Sequence, residues 1–113
     1  MSEFKESMLQ RFLKFVTFDT ESCDDATTVP TTEGQFVFAR FLEQELKAMG
    51  LSEVVLDEKC YLYATLPANT DKDLPVVGFI AHLDTSPDMS GKDVKPRVVS
   101  YTGGNIVLSA KDD

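Results

Sequence analysis

The chain has one histidine, two cysteines and no run of basic residues. Each scarcity excludes something. A net charge of −8 without a basic cluster makes nucleic acid and anionic membranes poor partners. No apolar stretch approaches the roughly 20 residues that a membrane span requires. Cys23 and Cys60 lie far apart in sequence and are too few for a disulfide framework, so a cytoplasmic chain with free thiols is expected. The opening Met1-Ser2-Glu3-Phe4-Lys5-Glu6 begins a charged amphipathic pattern and does not read as a signal peptide. There is no internal repeat and no low-complexity segment.

Hydrophobic residues make up 42% of the chain, which is enough for a core and too many for a disordered polymer. A length of 113 residues suits one domain or a piece of a larger one. Phe4, Met8, Leu9, Phe12, Leu13 and Val16 recur at helical spacing, which predicts a helix over 3–17 with its apolar stripe toward the core. Residues 18–31 lose that period and read as a polar loop, whose acidic residues Asp24 and Asp25 suit a solvated surface better than a cation site. Thr32-Glu33-Gly34-Gln35 has the form of a capping box. A second helix follows to about Met49, with Phe38, Phe41, Leu42, Leu46 and Met49 on its apolar face. Gly50 fits the left-handed position after its end, and Leu51 the apolar contact that accompanies it.

Glu53-Val54-Val55-Leu56 and Tyr61-Leu62-Tyr63-Ala64-Thr65-Leu66 flank a polar turn and predict a hairpin. After the loop Pro67–Asp73, the apolar run at 76–81 reads as a buried strand that begins at Pro75. Beyond it, 94–99 is a candidate edge segment, Gly103-Gly104 a turn, and Ile106-Val107-Leu108 a short apolar run. Helices mixed with a small sheet place the chain in the α/β class: two helices, then a small sheet. A buried strand needs neighbours on both sides. Little regular structure is expected after residue 81, so the sheet is expected to be unfinished at Asp113.

The chemistry concentrates where that strand ends. In open α/β sheets, ligands bind beyond the carboxyl ends of the strands. His82, the single histidine, sits there, with Asp84 two residues on. Side chains two apart on an extended segment share a side. A metal-bound imidazole usually donates its second N–H to a carboxylate or carbonyl, and Asp84 is placed to accept it. The spacing alone equally allows a structural, hydrogen-bonded histidine, since a zinc site needs three or four ligands.

Ala81-His82-Leu83-Asp84-Thr85 is similar to the metal-ligand motif of the co-catalytic di-zinc exopeptidases, which carry His-x-Asp at the end of a core strand. The likeness extends through Ser86-Pro87-Asp88-Met89-Ser90-Gly91, Pro30-Thr31-Thr32-Glu33-Gly34-Gln35, Thr65-Leu66-Pro67-Ala68-Asn69 and residues 11–20. Within that family the chain most resembles the aminopeptidases that release the N-terminal residue of tripeptides. The resemblance implies an α/β catalytic domain with a second, inserted domain. Residues 1–113 would be the N-terminal part of that catalytic domain, and the lid domain would lie elsewhere. It also implies a tripeptide substrate and two zinc ions. His82 would be a ligand to one zinc, and Asp84 the catalytic-site residue that orients it. The family's bridging aspartate, glutamate base, further acidic ligands and second histidine match no position of this chain. The expectation is therefore a fragment without peptidase activity of its own.

Two other classes compete. Asp84-Thr85-Ser86 after an apolar run resembles the active-site loop of homodimeric aspartic proteases, which share one proton between two aspartates. That fold is nearly all β, and the two predicted helices oppose it. Alternatively, the chain is a non-catalytic α/β binding module that offers an unpaired sheet edge.

Overall fold

The computed structural model describes residues 3–106. Helix α1 spans Glu3–Phe15. Glu3 and Glu6 in its first turn and Lys14 in its last oppose the helix dipole. Gln10 donates to Glu6 at 2.8 Å and Arg11 to Ser7 at 2.6 Å, both across one helical turn. The helix ends two residues before the predicted boundary. There the chain tightens: the N–H groups of Thr17 and Phe18 donate to the carbonyls of Lys14 and Phe15, each at 3.1 Å. The predicted apolar stripe is not a core face. No residue of α1 is buried, and Phe4, Met8 and Phe12 are exposed. Contact with α2 is made at the C-terminal end of α1, where Phe15 meets Phe38 and Phe41, and Arg11 lies 3.9 Å from Glu45.

Helix α2 spans Glu33–Ala48 and begins after Thr32, whose backbone is extended. The capping box does not form. Thr32 donates its hydroxyl to the Glu21 carbonyl at 2.9 Å, and Gln35 turns toward Thr31 and Thr20. The other end follows the sequence closely. Gly50 has φ +83°, its N–H donates to Lys47, and the Leu51 N–H donates to Leu46. These two bonds are a Schellman closure, which needs a residue without a Cβ penalty at Gly50.

Strands β1 (Ser52–Leu56) and β2 (Leu62–Thr65) pair antiparallel, with Val55 opposite Tyr63. Asp57 makes the turn, its carboxylate accepting the N–H groups of Lys59 at 2.9 Å and Tyr61 at 2.8 Å. Helix α2 packs on this hairpin. Phe38, Ala39 and Cys60 are the buried apolar residues of the described chain, and both cysteines are free. Burial raises the Cys60 thiol pKa above its ordinary value. Phe15 and Phe18 close over Phe38 and Phe41 of α2 with ring centroids 5.0–6.1 Å apart, from edge-on to tilted. The Lys14 ammonium lies 5.1 Å from the Phe18 centroid, over the ring.

The third predicted strand is absent. Residues 74–84 form no ladder, and Val76, Phe79 and Ile80 are 99%, 95% and 101% exposed. Strand formation needs a partner for the backbone N–H and C=O groups and cover for the side chains, and neither is supplied among the described residues. The candidate segment 94–99 likewise forms no strand. Gly103 and Gly104 bend the chain at positive φ. Val107 and Leu108 of the last apolar run lie outside the described residues. The Cα radius of gyration is 17.9 Å, against about 13 Å for a compact domain of this length. The fold is thus a small helix–hairpin layer with a long extended arm, within the α/β class that the sequence indicates.

The two helices ahead of Asp84 remove the aspartic protease reading. No helix among the described residues is long and apolar enough to cross a membrane.

Candidate functional site

The arm meets the layer at the polar cluster after His82. Thr85 and Glu21 form an isolated parallel bridge. The Thr85 N–H donates to the Thr20 carbonyl at 3.1 Å, and the Ser22 N–H donates to the Thr85 carbonyl at 3.0 Å. The Ser22 hydroxyl adds a bond to the same carbonyl at 3.1 Å. Six residues on, the Gly91 N–H donates to the Glu21 carboxylate at 3.3 Å. A Cβ at Gly91 would stand 3.0 Å from Asp19 Oδ1, so glycine permits this approach.

His82 and Asp84 precede this anchor. His82 Nδ1 lies 2.9 Å from Asp84 Oδ1. A carboxylate accepts, so Nδ1 carries a proton, and in the neutral ring Nε2 keeps its lone pair. The imidazole is 84% exposed and the carboxylate 47%. The hydrogen bond to Asp84, followed by the attraction of its charge, raises the His82 pKa above the usual 6.5. The predicted pair is therefore brought together, with Nε2 directed away from its partner.

One imidazole nitrogen with an orienting carboxylate fits one position of a zinc site. Among the described residues, no group of three or more His, Cys, Asp or Glu side chains is placed to hold an ion. Asp24 and Asp25 are exposed, as a solvated loop requires. An open cleft of about 610 Å³ lies between Asp19, Glu21, Ser22, Gly34 and Lys92, and His82 does not line it.

Several residues around the site carry no catalytic signal in the sequence. Thr20 and Glu21 fall in the polar loop, and Gln35 falls in the apparent capping box. Thr20 is 4% and Gln35 7% exposed, and they are the buried polar residues of the described chain. A clue was available in the loop's own composition: a threonine-rich, acidic segment adjoining a helix start offers many groups for backbone pairing.

No family model matches the chain. Individual proteins do. It is 60% identical over 107 residues to peptidase T of Parabacteroides distasonis, covering 95% of this chain and 26% of that protein. It is 57% identical to peptidase T of Alkaliphilus oremlandii, covering 92% and 26%. Peptidase T of Bacillus mycoides is 53% identical over 103 residues, covering 91% and 25%. The chain spans about a quarter of the length of these curated relatives. With identity above one half sustained over nine-tenths of its residues, the chain belongs with the peptidase T sequences.

Proposed function

We propose that this chain is the N-terminal part of the catalytic domain of a cytoplasmic zinc aminopeptidase acting on tripeptides, and that it supplies His82 as a metal ligand and Asp84 as the residue that orients it. One observation carries the reading: 60% identity to a peptidase T across 95% of this chain and 26% of the relative. The local geometry agrees with the roles. Asp84 holds the Nδ1 proton, which presents Nε2 for coordination. When bound at such a site, zinc polarises a carbonyl and lowers the pKa of a coordinated water. His82 then contributes one nitrogen, and Asp84 keeps the ring in the required tautomer and orientation.

The described residues hold one such ligand, so the chain by itself hydrolyses no peptide. The exposed arm supports the same view. Apolar side chains at Val76, Phe79 and Ile80 have the exposure of a strand without its sheet. The remainder of a peptidase T-like protein would cover them.

A chimaera tests this. The chain replaces its aligned segment in peptidase T of Parabacteroides distasonis. The chimaera is expected to cleave tripeptides and bind zinc, and the isolated chain to do neither at a measurable rate. Metal-dependent tripeptide cleavage by the isolated chain, abolished by His82→Ala, would overturn the fragment reading. A folded chimaera with no peptidase activity would overturn the functional one.

A further inference from the structure

Gln35 is buried in the first turn of α2, yet its side chain leaves the helix. Its Oε1 accepts the Thr31 N–H at 3.2 Å. Its Nε2 donates to the Thr31 hydroxyl at 3.0 Å and to the Thr20 carbonyl at 3.4 Å. These partners fix the amide's orientation, because a backbone N–H can only donate and a carbonyl can only accept. The same Thr20 carbonyl accepts the Thr85 N–H at 3.1 Å.

We propose that Gln35 is a positioning residue for the His82–Asp84 pair, acting through the Thr20 carbonyl that its amide shares with the Thr85 N–H. Thr85 follows Asp84 directly. Anchoring the Thr85 N–H therefore fixes the peptide plane between the two residues, and with it the start of the Asp84 side chain. Asp84 in turn orients the His82 ring. The arm from 74 to 83 makes no ladder bonds of its own, so the direction of this pair is set where the arm meets the layer. A buried amide is suited to that task. It cannot rotate without leaving a donor or acceptor unpaired, which is costly away from water. Glycine at 34 lets the Asp19–Ser22 segment lie close enough for the contact, since a Cβ there would overlap the Asp19 carbonyl oxygen.

The catalytic consequence rests on the zinc peptidase reading, but the positioning itself is testable without metal or substrate. In the metal-free 113-residue chain, nuclear Overhauser contacts should link the Gln35 amide protons to the Thr85 N–H. Gln35→Leu should speed hydrogen exchange at Thr85 and Ser22 by about tenfold or more, with the Leu51 N–H unchanged. The ¹⁵N shifts of the His82 ring should move from those of a fixed Nδ1–H tautomer toward averaged values. Gln35→Glu, which keeps the shape and loses the donor, should behave like Gln35→Leu. A folded Gln35→Leu chain with unchanged Thr85 exchange and unchanged His82 shifts would overturn the proposal. If that variant does not fold, absence of the Gln35–Thr85 contact in the unaltered chain overturns it instead. In the chimaera, Gln35→Leu should lower kcat with KM within about twofold and zinc content unchanged. If the unaltered chimaera is inactive while the exchange and shift changes appear, the positioning stands and the peptidase reading fails.

Discussion

The carbonyl oxygen of Asp19 lies against Gly34 so closely that a Cβ at that position would overlap it. The start of α2 and the segment carrying Thr20 and Glu21 are thereby in direct backbone contact. Substituting Gly34→Ala forces them apart, because backbone atoms cannot rotate away as a flexible side chain does. An insertion of this kind costs about 1–3 kcal/mol. Gly78 has nothing within 4 Å of an added Cβ, so Gly78→Ala should stay within about 0.5 kcal/mol of the parent. Thermal unfolding of the two variants, followed by circular dichroism, distinguishes the positions. Equal midpoints would refute the close approach.

The His82 ring should titrate above 6.5, because the Asp84 carboxylate favours its protonated form. Asp84→Asn removes that charge and should bring the value down, read from the ring proton shifts across a pH series. The proton competes with a metal at the imidazole, so any metal bound through His82 should be held more weakly as pH falls through this pKa. A titration curve indifferent to Asp84→Asn would break the pair.

In the chimaera, His82→Ala should remove most tripeptide hydrolysis and lower the bound zinc. Asp84→Asn should retain the fold and reduce activity by about 10–100-fold, the usual loss when a ligand's orienting partner is removed. Turnover and zinc content measured together separate the two roles. Full zinc and near-normal turnover in His82→Ala would reject it as a ligand.

Phe38 is buried and meets the rings of both Phe15 and Phe18. Truncation of a buried phenylalanine costs about 3–5 kcal/mol, and a layer with so few buried residues has little to spare. Phe38→Ala should abolish the cooperative helical transition. Phe12→Ala should leave it in place, since Phe12 is 58% exposed. The far-ultraviolet melting curves decide.

The apolar arm should govern solubility and leave folding alone. Phe79 and Ile80 contribute no burial to the layer. Phe79→Lys with Ile80→Lys should lower aggregation of the isolated chain, because charges on an exposed apolar segment oppose edge pairing. The melting midpoint should not change. Light scattering that is unaffected by the pair would move the liability to the α1 stripe.

Local features were legible in the sequence wherever a few neighbouring residues carry the physics. The Gly50–Leu51 closure of α2 needs a positive-φ residue and a following apolar one, and both are adjacent in the chain. The β1–β2 hairpin and the juxtaposition of His82 with Asp84 depend on separations of a few residues, which backbone geometry translates directly into space. What the sequence could not state was which apolar surfaces find partners. The stripe on α1 and the run at 76–81 have the pattern of core elements, yet burial depends on a facing surface as well as on their own composition. The partnership of Gln35, Thr20 and Thr85 was hidden for the same reason. It joins residues 15 and 50 or more positions apart through one shared carbonyl, and only the docking of the arm on the layer decides that they meet.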